Sequence, residues 1–170
     1  MQFSLTLILT SILSLTQALP SGIAVRGNQQ IADAQNSWRA DTSMVSQFLS
    51  SVPTLRGAEL QSAAQVALNA EIDELTHKKV LDGVFSSDPR IVQANNILVN
   101  QGTFQSVVDA LQSFTDDGAS MSEAEITTLL RNTNTVRCGQ VLPAIDTYFR
   151  VAGERLNNGV LLLATRPNNC

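Results

Sequence analysis

The sequence predicts an all-α protein: a single bundle of about five to six antiparallel helices, closed by one disulfide. Three observations lead there. The stretch Gly57–Val84 has no proline and is dominated by Ala, Leu, Gln and Glu, the strongest helix formers. Phe104, Val107, Val108, Leu111 and Phe114 repeat at helical intervals. No alternating strand pattern rivals these, the short run Val160–Ala164 coming nearest to one.

The elements follow in chain order. Residues 1–18 carry an uncharged run from Leu5 to Leu15 and end in Thr16-Gln17-Ala18, the form of a secretory signal peptide with a weak n-region. Ser and Thr interrupt the run, which is shorter than the roughly 18 apolar residues of a membrane span. Residues 19–28 hold Pro20, Gly22 and Gly27 and read as an irregular leader, with Arg26 a candidate trimming point. The helical domain is assigned to 29–170, and the roughly 150 residues beyond the signal peptide are enough for one real core. Its first segment carries Ile31, Ala34, Trp38, Val45, Phe48, Leu49 and Val52, with Asp41-Thr42-Ser43 an N-cap signal that would split it, and ends at Pro53. Trp38 reads as a core anchor.

In the central helix Leu60, Ala64, Ala67, Leu68, Ile72 and Leu75 make one apolar face, which wanders after Leu75 toward Val80, Leu81 and Val84. Asp88-Pro89 is a helix start. Ile97, Phe104 and Leu111 keep a seven-residue phase that lets the helix run through Gly102. Thr115–Gly118 is a turn, and Ser122 with Glu125 forms a capping box. The last helix holds Val141, Leu142, Ile145, Phe149, Ala152 and Leu156, is begun or kinked by Pro143, and stops at Asn157-Asn158-Gly159.

Two cysteines, Cys138 and Cys170, are expected to pair in an oxidising compartment. The bond would close a loop of about 32 residues and stabilise by roughly 3–4 kcal/mol.

Composition excludes several function classes. Net charge is −4 with no Lys/Arg cluster, so neither a nucleic-acid footprint nor a polybasic membrane patch is present. There is no Gly-x-Ser-x-Gly, no Gly-x-Gly and no phosphate loop. Asp116-Asp117-Gly118 lacks the alternating acidic positions of a calcium loop. Glu71, Glu74 and His77 on the central helix include a Glu-x-x-His spacing, but a di-metal bundle needs a second such motif and the chain has one histidine. A single-metal site would need carboxylates from another helix, and the plainer reading is a solvated edge with Glu74 and Lys78 paired at i,i+4. An enzyme is not expected, and no metal or cofactor is assigned. The expected protein is secreted and has no transmembrane anchor.

Alanines on the helix faces (Ala63, Ala64, Ala67, Ala70, Ala94, Ala110, Ala152) either pack closely or leave an apolar channel for an acyl chain. The residues expected to face such an interior, and to bind an apolar ligand, are Leu68, Ile72, Leu75, Phe104, Val108, Leu111, Ile145 and Phe149.

Over about Gln29–Asn157, the Ala/Leu/Val/Ser/Thr-rich helical body behind a signal segment, with almost no histidine, resembles the fungal hydrophobic-surface-binding protein A and cell-wall galactomannoprotein group. The resemblance is one of pattern. It implies extracellular binding of a hydrophobic surface, a lipid or fatty acid, or a cell-wall component. Cys138 and Cys170 depart from that pattern, and the Ser/Thr-rich tail of wall-anchored members is missing. The alternative expectation is an effector-like protein that acts on a host protein through its outer surface, around a dry core.

Overall fold

The computed structural model describes residues 21–170, all helix and connecting coil with no strand among them. The expected signal peptide lies outside the described residues. Helix α1, Ser21–Ser51, is about 45 Å long at 1.5 Å per residue. The irregular leader expected over 19–28 is helical from Ser21 onward. Gly22 and Gly27 are absorbed into it, each at a cost of about 1 kcal/mol relative to alanine. Nor does Asp41-Thr42-Ser43 split it. Asp41 and Thr42 point into the protein, and the Thr42 hydroxyl donates to its own helix at Arg39 O (2.9 Å) instead of capping a new one. Pro53 stops the helix as expected, inside a 3₁₀ turn at Val52–Thr54.

Helix α2, Gly57–Phe85, packs along α1 on one side and on α4 on the other. Helix α3, Pro89–Asn95, starts at Asp88, whose carboxylate accepts from Arg90 N, and runs on as a π turn over Asn96–Asn100. The chain then breaks at Gln101-Gly102 instead of running straight through. Gly102 takes a left-handed φ of 69°, which glycine adopts without strain. Helix α4 is Thr103–Asp117, and α5, Glu123–Val136, carries the expected capping box. A second π turn, Arg137–Val141, leads without a break into α6, Leu142–Leu156.

The expected count of five to six separate helices is therefore not met. The segments form four rods: α1, α2, the kinked α3–α4, and the continuous α5–α6. Pro143, expected to begin or kink the last helix, sits in the first turn of α6, just after the π turn that carries the ladder through.

Beyond Asn157, Val160–Cys170 is irregular rather than a strand and straps α1 and α6 together. Arg39 Nε donates to Leu163 O (3.1 Å), Ser46 Oγ to Thr165 O (2.6 Å) and Asn169 Nδ2 to Leu49 O (3.0 Å). Ala164 N donates to Asp146 Oδ1 on α6 (2.8 Å). Cys170 meets Cys138 of the second π turn as a disulfide, with the Cα atoms 5.7 Å apart. Replacing Cys170 with Ser should lower unfolding free energy by about 3 kcal/mol in urea titration. It should also raise amide exchange at Ala164 and Asn168, while helix content by circular dichroism holds.

Candidate functional site

The buried stripe of α2 is Leu60, Ala64, Ala67, Glu71, Glu74, Lys78, Leu81 and Phe85. Their spacing alternates strictly between four and three residues, the seam of a packed helix. Three charged groups stand in its middle, so the solvated edge expected for Glu74 and Lys78 is overturned. Ile72 and Leu75, expected inside, lie one position off this seam and are 48% and 45% exposed.

Glu71 and Glu74 are fully buried, and so is their counterion Arg137, supplied by the π turn before α6. Arg137 Nη1 donates to Glu71 Oε2 in a short contact, and Nη2 reaches Glu74 Oε1 at 3.3 Å. Trp38 Nε1 on α1 donates to Glu74 Oε2 (2.8 Å), and its ring stands edge-on to Phe149, 5.7 Å between centroids. Glu71 Oε1 and Arg137 Nε are buried without a hydrogen-bond partner.

Two carboxylates share one guanidinium. Burial first, then the charge of Glu71, pushes the Glu74 carboxyl well above the usual range, against the pull of Arg137 and the Trp38 bond. Burial also raises Glu71, opposed by Arg137. For Arg137 burial works against the cation, and the two glutamates together outweigh it.

The array continues toward α2's C-terminal end. Lys78 Nζ binds Asp82 Oδ2 (2.6 Å) and Asn95 Oδ1, and Tyr148 OH donates to Asp82 Oδ1 (2.6 Å). Burial, followed by the bond to Asp82, holds the Tyr148 phenol well above its ordinary pKa. At the α1–α2 seam, His77 Nε2 lies 3.2 Å from Asp41 Oδ2 and 3.5 Å from Asp73 Oδ2. Burial raises Asp41, His77 opposes it, and Asp73 adds to it.

The residues expected to bind an apolar ligand divide sharply. Leu68, Phe104, Leu111, Ile145 and Phe149 are packed in the core, and Val108 is half-buried at its edge. Ile72 and Leu75 are surface residues. None of the eight lines the larger grooves, which lie at the surface. One of these grooves, about 660 Å³, runs between α4 and α5 past Asp117, Met121, Glu125 and Leu129. No described helix is long and apolar enough to cross a membrane.

Sequence reading missed Asp41, Arg137 and the inward face of Glu71. The four–three spacing on α2 is the signal that would have found the glutamates, once charged residues are allowed in a seam. No protein-family model matches the chain, and no curated protein or solved structure matches it either.

Two outcomes test the array. Arg137→Met leaves two carboxyls buried without their cation and should cost about 3–5 kcal/mol in denaturant unfolding. A carboxyl whose folded pKa is raised contributes stability that is complete below its unfolded pKa and is lost as pH rises through the folded value. Glu74→Gln keeps the Trp38 bond and removes that titration. Its unfolding free energy should therefore fall less than the wild type's as pH rises above the ordinary glutamate range.

Proposed function

We propose that this protein is a secreted, non-enzymatic binding module that acts on another protein through its outer surface, around a dry core. The observation that carries this reading is the packing of the interior. Phe104, Leu111, Ile145 and Phe149, which an acyl-chain carrier would use as cavity walls, are at most 4% exposed and belong to one continuous core cluster. Protein interiors packed in this way lack room for a ligand without repacking.

A second reading, adsorption to a hydrophobic surface or cell-wall component, is favoured by a different observation. Val66, Ile72, Leu75, Val80 and Val84 all project from α2 at 38–59% exposure, an apolar load that a solvated helix face does not need. The resemblance to the hydrophobic-surface-binding group points the same way.

Native mass spectrometry after titration with a fatty acid tests the dry core. The expected result is an apo mass throughout, and uptake of one equivalent would overturn the proposal. Ile72→Ser with Leu75→Ser separates the two surface readings. The pair should change stability by less than about 1 kcal/mol, since both side chains are half exposed. Loss of adsorption to an alkyl-coated support would favour the hydrophobic-surface reading, and unchanged adsorption would favour a protein partner.

A further inference from the structure

The α1–α2 seam ends in a group that neither the packing of the core nor an outer binding surface uses. Asp41 comes from α1, and Asp73 and His77 come from consecutive turns of α2, where i,i+4 spacing sets them on one face. One ligand atom from each lies within 4.8 Å of the others. The geometry points to a binding site for a single divalent transition-metal cation, held by Asp41 Oδ2, Asp73 Oδ2 and His77 Nε2.

Distances give the first argument. Ligand atoms about 2.0–2.2 Å from a tetrahedral zinc stand about 3.3–3.6 Å apart along each edge. The two edges through His77 Nε2 measure 3.2 and 3.5 Å. Two helices already packed against each other hold these two edges near the tetrahedral spacing and keep the third, from Asp41 to Asp73, within 4.8 Å.

Asp41 gives the second and independent argument. Its side chain is 8% exposed, and its Oδ2, aimed at the cluster, has no hydrogen-bond partner. Among the described residues its one near neighbour of opposite sign is His77 Nε2 at 3.2 Å, an ion-pair contact only when the imidazole is protonated. A buried carboxylate oxygen left unpaired is costly, and one facing a second carboxylate is more so. A cation between them removes both penalties.

The donor set names the class of ion. Imidazole with two carboxylates suits zinc and its first-row neighbours, whereas calcium and magnesium sites are built from oxygen alone. Asp73 is 58% exposed at its side chain and His77 only 18%, so the cluster is walled by protein on the α1 side and open on the Asp73 side. Three protein ligands and an open fourth position would leave the ion accessible to water or to a donor from a partner.

The test is calorimetric titration of chelator-treated full chain with Zn²⁺, followed by Co²⁺ to read coordination from its visible absorption. One saturable equivalent is expected, with Co²⁺ bands of tetrahedral intensity that Zn²⁺ abolishes. Asp73→Asn, at an exposed position the fold tolerates, and His77→Ala should each weaken binding by at least about 10-fold. Asp109→Asn, an exposed carboxylate elsewhere on α4, should leave it unchanged. Absence of saturable binding would overturn the proposal. So would binding that survives both Asp73→Asn and His77→Ala, which would mark it as adventitious.

Discussion

A guanidinium with no exposure to water governs how this bundle is put together. Transfer of Arg137 out of solvent costs several kcal/mol, and among the described residues only the carboxylates of Glu71 and Glu74 stand in direct contact to offset it. That requirement fixes α2 about its own axis, because a rotation by one residue would carry both glutamates away from the cation. It also fixes the junction of α5 and α6, since the π turn is what brings Arg137 to the seam. An apolar replacement of similar volume could make the same bundle as stable. The polar version is better understood as selecting one register, in the way a buried polar residue sets the register of a coiled coil.

The helical class and most helix ends were legible in the sequence, because local chemistry determines them. Asp88 caps α3, Ser122 and Glu125 cap α5, and Asn157 closes α6 in a left-handed conformation with φ of 48°. The pairing of Cys138 with Cys170 follows from there being only two cysteines. None of these needs knowledge of what lies across the core.

What was not legible depends on partners far away in sequence. On α2 the line Leu68, Ile72, Leu75 and the true seam Ala67, Glu71, Glu74 have the same four–three spacing and differ by one helical position. Hydrophobicity alone chooses the first. The second wins because Arg137, more than 60 residues away, supplies the counterion. The carboxylate–histidine cluster was hidden for the same reason. His77 was visible on α2, but Asp41 reaches it only because α1 and α2 lie side by side without the break expected at Asp41–Ser43.

Trp38 gives the molecule one more property. It is the chain's only tryptophan, and its indole N–H ends on the carboxyl that Arg137 shares. The intrinsic emission of the protein therefore originates at the centre of the charged array, from a ring shut away from solvent. Each change in the packing or ionisation of that array is written into the colour and lifetime of a single fluorophore, with no second indole to blur it.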